Sequence, residues 1–139
     1  MEFDRKIIQV IKNDRSMCSC IMQLYEEAPD DDELVMVDLI YLNENNSFKG
    51  GNYFEVLRDI RLYFEKLNIQ VLCNGAALNV FPSPMQLSMG NGNLAYILKM
   101  GEPAKIHHVA NIFEHNPAFE FVTVEKQLEY YHKWLKSLY

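Results

Sequence analysis

Apolar residues recur at steps of three and four from Tyr53 to Leu67, through Val56, Leu57, Ile60, Tyr63 and Phe64. That spacing lines them along one side of an α-helix. A helix with so broad an apolar face gains most of its stability by packing against other elements. Asn52 stands just ahead, with Glu55 three residues later, an arrangement close to a capping box. A second such helix follows Thr123, with Val124, Leu128, Tyr131, Leu135 and Leu138 as its central stripe and Gln127, Tyr130 and Trp134 widening one edge. Thr123 is suited to cap it, and Glu125 sits near its positive end.

What these helices cover is read from the rest of the chain. Leu34 to Leu42 is rich in branched residues and broken only by Asp38, which predicts a largely buried strand. Asp38 then needs a hydrogen-bonding partner or a functional role. Phe3, Ile7, Ile8 and Ile11 fall at helical intervals and predict an opening helix. Met17, Cys20, Ile21 and Leu24 predict a second helix that ends before Pro29, with Cys20 facing the core and Cys18 pointing elsewhere. Asn43 to Asn52 is polar and glycine-bearing, hence a loop. Ile69 to Phe81 contains two apolar stretches split by Asn74-Gly75, a pair that favours a tight hairpin turn. Leu94 to Met100 reads as a strand ended by Gly101-Glu102-Pro103, and Ile106 to Phe113 fits either a helix or an extended segment, with the extended form favoured. The expected fold is α+β: a mainly antiparallel sheet with N-terminal, central and C-terminal helices packed on it, in one globular domain over 1–139.

Composition narrows the class further. With 49% hydrophobic and 23% charged residues, the 139-residue chain has the balance of a globular domain and not of a disordered one. Its apolar runs fall far short of the roughly twenty residues that span a membrane. The opening Met1-Glu-Phe-Asp-Arg-Lys6 lacks the apolar core of a signal peptide. Cys18, Cys20 and Cys73 are odd in number and lack zinc-site spacing, so reduced thiols, no bound metal, no cofactor and a cytoplasmic location are expected.

The formal charge of −6 is concentrated in one place. Glu26, Glu27, Asp30, Asp31, Asp32 and Glu33 bring six acids and no base in eight residues, and outside them 13 acids balance 13 bases. Mutual repulsion and solvation place such a run on a surface loop. It serves either as a solubilising connector or as a patch that draws in a basic partner. Direct nucleic-acid binding is disfavoured, because Lys and Arg are dispersed.

Catalytic signatures are missing. Ser83 and Ser88 lack the Gly-x-Ser-x-Gly turn. Cys73 could in principle pair with His107, His108, His115 or His132, but a thiol ahead of a hairpin turn is more often a packing residue, and His107, His108 and His115 lack the His-x-x-x-His interval. The stretch from Phe81 to Asn93 contains Gly90-Asn91-Gly92, a fragment of a phosphate-cradling loop without its third glycine or its Lys-Ser/Thr. A loop of this length is often functional. Ser83, Met85, Met89 and Asn91, with Tyr130 and Trp134 on the last helix, therefore form a second candidate site, for a small ligand or for a partner protein.

Several segments together carry a resemblance: Asn74-Gly75-Ala76, Pro82-Ser83 with Met85, Met89-Gly90 with Gly92, Ala95-Tyr96, Val109 to Phe113, and Gln127 to Ser137. From Tyr53 onward the chain resembles small free-standing bacterial proteins associated with the immunity proteins of polymorphic toxin and contact-dependent growth-inhibition systems. The resemblance implies an inhibitor without catalytic chemistry, which binds a cognate toxin domain, a nuclease above all, in the bacterial cytoplasm. The alternative is a small enzyme or ligand-binding protein built on the Ser83–Gly92 loop.

Overall fold

The computed structural model describes residues 2–89 and 91–139. Met1 and Gly90 lie outside the described residues, as does the side chain of Met89, so Met89 of the second candidate site and the first glycine of Gly90-Asn91-Gly92 fall outside them too. The architecture is α+β. Five antiparallel strands form the main sheet: β1 (Asp4–Lys12), β2 (Met17–Tyr25), β3 (Val35–Tyr41), β4 (Glu44–Gly50) and β5 (Ile69–Val71), in the order β4-β3-β2-β1-β5. A smaller antiparallel sheet holds β6 (Val80–Phe81), β7 (Leu94–Ile97) and β8 (Val109–Asn111) in that order. Helix α1 (Tyr53–Glu65) lies between β4 and β5 in the chain, α2 (Pro84–Met89) between β6 and β7, and α3 (Val124–Ser137) follows β8.

The expected N-terminal helices are strands. Ile7, Ile8, Val10 and Ile11 are β-branched, and branching favours the pleated surface over the crowded helix. Ile8 and Val10 face the core while Ile7 faces solvent, so apolar residues on both faces imitate helical spacing. Likewise β2 turns Cys20, Met22 and Leu24 inward and exposes Met17. Strand alternation puts Cys18 on the same face as Cys20, with its Sγ 3.7 Å from the Tyr41 hydroxyl. The polar stretch read as a loop is also a strand: β4 is an edge with one half-buried aromatic, Phe48, set edge-on to Tyr63 at 6.0 Å. A polar edge discourages pairing with other chains.

Helix α1 buries Phe54, Val56, Leu57, Ile60 and Phe64 against the inward face of the main sheet, where Phe64 meets Tyr41 edge-on at 5.0 Å. Its expected cap is present: the Glu55 amide donates to Asn52 Oδ1 at 2.9 Å. Thr123 caps α3 in the same way through the Lys126 amide.

Asn74-Gly75 is not a hairpin turn. It starts a single 3₁₀ turn (Asn74–Ala76) between β5 and β6, which belong to different sheets, and neither residue adopts positive φ. Glycine is required there for space: a Cβ on Gly75 would stand 2.4 Å from Leu57 Cδ2 and 2.9 Å from Ile112 Cβ.

The close approach at Gly75 centres on a buried polar cluster. Arg61, only 2% exposed, donates from Nη1 to Gln127 Oε1 (2.6 Å) and to the Gly75 carbonyl (3.2 Å), and from Nη2 to the Val122 carbonyl (2.9 Å). Gln127 Nε2 lies 2.8–2.9 Å from the carbonyls of Gly75, Ala77 and Val80. Burial pulls the Arg61 guanidinium down to about 10, which leaves it charged at neutral pH. Its solvation shell is therefore made of neutral carbonyls and one amide.

Replacing Gln127 by Leu keeps the volume but removes one acceptor from Arg61 and the Nε2 donor from three carbonyls, of which Gly75 keeps Arg61 and Ala77 keeps the Val80 amide. A buried group left unpaired costs about 1–3 kcal/mol, so the variant is expected to lose about 2–4 kcal/mol in urea unfolding. A loss below about 1 kcal/mol would show that the cluster is not what joins α1 to α3.

Candidate functional site

The acidic run is the connection between β2 and β3. Ala28 is buried and closes it, donating its amide to the Leu34 carbonyl at 2.8 Å, while all six acids point outward. Asp31 Oδ1 accepts from the Glu33 amide, which tightens the turn. Lys49 holds Asp30 at 2.7 Å and draws its carboxyl below the usual range, chiefly through that hydrogen bond. Among the described residues the other five acids form no ion pair.

Glu26 and Glu27 differ from the rest in facing a cleft of about 1110 Å³. It is lined by the start of β1, the end of β2, the first residue of α1 and residues beside β7 and β8. Glu2 and Asp4 join Glu26 and Glu27 along it, against the single base Lys6. Across from them stand Asn91, Asn93 and Asn111, and Tyr53 and Phe113 form an edge-on pair at 5.7 Å in its floor. Tyr53 is 5% exposed, and its hydroxyl makes no hydrogen bond among the described residues. Burial first, then the carboxylates of Glu26 and Asp4, raise that hydroxyl to about 12.

The two candidate sites thus touch, but only in part. Asn91 reaches the cleft that Glu26 and Glu27 line. The other members of the second site do not gather there. Ser83 caps α2 reciprocally: its Oγ accepts from the Gln86 amide, and its own amide donates to Gln86 Oε1 at 2.9 Å. That is the capping box written in Ser83-Pro-Met-Gln86, a signal open to sequence reading. Met85 is exposed, Tyr130 is half-buried, and Trp134 is 93% covered with its Nε1 donating to the Glu102 carbonyl. Trp134 is therefore a packing residue and not a free anchor on the helix edge.

Asn91-Gly92 has a structural task. Both residues have positive φ (53° and 75°), and the Asn91 carbonyl accepts from the Tyr53 amide at 2.6 Å. With the Glu55 amide already bonded to Asn52, two first-turn donors of α1 are occupied. A phosphate would find few free amides and four nearby carboxylates, so the cradle reading loses its chemistry here.

The remaining candidates are structural as well. Cys20 and Cys73 are buried, and burial pushes both thiols up to about 12. His115 is exposed, with Nδ1 2.7 Å from the Leu72 carbonyl and its ring stacked on Phe121. Asp38 accepts from the Ser47 hydroxyl at 2.5 Å on the neighbouring strand. Among the described residues no cluster of three or more His, Cys, Asp or Glu side chains could hold a metal ion. No described helix is long and apolar enough to cross a membrane. The chain matches no protein-family model and no curated protein.

Two measurements check this reading. Gly92→Ala places a Cβ 2.9 Å from Asn52 Oδ1 at a positive φ, whereas Gly101, also at positive φ, faces open space. The Gly92 variant is expected to lose about 1–3 kcal/mol and the Gly101 variant distinctly less in the same urea series. The second measurement is alkaline unfolding. Thiols raised to about 12 in the folded chain from 9.0 contribute stability that is whole below pH 9 and is lost as pH rises toward 12. Between pH 9 and 10, where unfolded tyrosines and folded Arg61 also begin to titrate, each thiol should add a fall in stability of up to about 1.4 kcal/mol per pH unit. Cys20→Ala with Cys73→Ala should make the fall in that window distinctly shallower; an equal fall in the double variant would assign it to those other groups.

Proposed function

We propose that the chain is an immunity-type inhibitor, acting in the bacterial cytoplasm, that binds a cognate toxin domain with a basic surface, in the first place a nuclease. The observation that supports it is the acidic turn between β2 and β3: six outward carboxylates, five of them without an ion pair among the described residues, continuing into an acid-walled cleft. A solubilising connector has no need of a concave extension. Uncompensated charge held on a short, closed turn acts at a distance on a partner of opposite sign and speeds its encounter. Enzymes that handle nucleic acid carry basic clefts, and carboxylates occupy the place of phosphates there.

The reading requires a toxin domain encoded next to this chain's own gene, and that domain is the partner used to test it; the lack of such a gene would end the reading. Asp31, Asp32 and Glu33 lie outside the cleft, so replacing them with Asn, Asn and Gln alters the field without removing a cleft contact. Stopped-flow association at low salt should slow about tenfold, while dissociation changes little and the salt slope flattens. Protection of cells expressing the toxin domain should persist at high inhibitor level. An unchanged rate and slope would reduce the turn to a solubilising loop, and failure of the parent chain to bind or protect would end the immunity reading.

A further inference from the structure

We propose that the uncovered face of the main sheet is an interface with a second copy of this chain, packed face to face about a two-fold axis that crosses the strands at Ile7 and Ile21. This interface is separate from the acidic cleft and holds whether or not the chain neutralises a toxin. Helix α1 covers the inward face; on the opposite one Ile7 is 65% exposed, Met17 57% and Phe3 45%. Strand register gathers the apolar residues of this face into three bands. Ile7, Ile21 and Ile40 pair in one row across β1, β2 and β3. Ile11 pairs with Met17 at one end of β2, and the Phe3 and Tyr25 rings lie 5.3 Å apart at the other. Polar pairs stand between the bands, Arg5 with Gln23 and Gln9 with Ser19. A solvated sheet face is ordinarily polar, so three apolar bands on the outward side mark a surface that meets a partner.

The pattern is its own complement. Phe3 and Ile11 stand four residues to either side of Ile7, and Tyr25 and Met17 four to either side of Ile21. A two-fold axis through the isoleucine row therefore sets apolar bands on apolar bands, and Arg5 and Gln23 over the partner's Gln9 and Ser19. Charge fixes the direction of the strands. The acidic turn borders the Tyr25 end of the face, where Asp30 is bonded to Lys49 of β4, and Lys12 and Arg15 flank the Met17 end. Antiparallel copies keep the two acidic turns roughly 30 Å apart, the length of nine-residue β2, and bring each toward the partner's Arg15. Parallel copies would set the two turns side by side. The area suffices: four strands about 4.8 Å apart and seven to nine residues long present roughly 550 Å². Two copies then bury about 1,100 Å², just above the roughly 1,000 Å² of a specific interface, which gives a dissociation constant on the order of 10–100 µM.

The experiment is sedimentation of the full chain from about 1 to 500 µM at about 0.15 M salt, where surface charges are screened as in the cell. The parent should pass from one chain mass to twice that mass, with no larger species. Ile7→Lys, at a position already open to solvent, should weaken self-association at least tenfold while its urea midpoint stays near the parent's. Met85→Lys, on the exposed side of α2, should leave self-association unchanged. A parent that stays monomeric throughout overturns the proposal, as does an Ile7→Lys variant that associates like the parent. Isotope-filtered NOEs in a mixed sample of labelled and unlabelled chains then read the geometry. Contacts between copies should join Tyr25 to Met17 and Phe3 to Ile11. Contacts between copies from Phe3 to Met36 would mark parallel strands and overturn the proposed axis, and contacts centred on Met85 or Leu128 would overturn the choice of face.

Discussion

A positively charged guanidinium inside the protein, with no carboxylate bonded to it, is the constraint on which the remaining structure depends. Arg61 sits on the face of α1 that otherwise buries Ile60 and Phe64, and burial alone would make its charge costly. The chain answers with oxygens drawn from distant segments: Gly75 in the 3₁₀ turn, Val122 ahead of α3, and Gln127 within α3. Gln127 in turn holds the carbonyls of Gly75, Ala77 and Val80, so the crossing from one sheet to the other is bonded to the last helix. Moving any of these elements would leave a buried charge or carbonyl unsatisfied. A polar cluster of this kind specifies one arrangement where apolar contacts would tolerate several.

That arrangement also creates the cleft. While β5 pairs with the far end of β1, the start of β1 and the end of β2 line the cleft together with Asn91, Asn93 and Asn111. Asn91 and Gly92, both left-handed, fold that turn onto the start of α1 and fix Tyr53 in the floor. The same contact that closes the helix start thus presents a covered tyrosine to four carboxylates. Structure and electrostatics are joined there: the site is acidic because two chain segments, the entry to β1 and the exit from β2, pair antiparallel and bring Asp4 opposite Leu24, beside Glu26.

The acids serve at two ranges. At the turn they are solvated and spread outward, where their effect is on encounter and falls with salt. Glu26 and Glu27 also line the cleft, together with Glu2 and Asp4. One short connection, Glu26 to Glu33, supplies both. This division gives the inhibitor reading a physical form, in which the field collects a basic partner and the concave part orients it.

By itself the sequence determined the helices at 53–65 and 124–137, with their Asn52 and Thr123 caps, the strands within 34–42 and 94–100, and the outward acidic turn. These follow from local rules: period, capping chemistry and the solvation of charge act within a few residues. It misdirected at β1 and β2, because Ile7 and Ile21 carry apolar side chains on the uncovered face of the sheet and blur the alternation. It misplaced β4, an edge strand with one aromatic, and it took the glycine at 75 for a turn residue when packing against Leu57 and Ile112 requires it. Only tertiary structure decided the roles of Arg61, Gln127 and Tyr53. Their partners lie dozens of residues away, and no local pattern distinguishes a helix-face arginine that will be buried from one that will meet water.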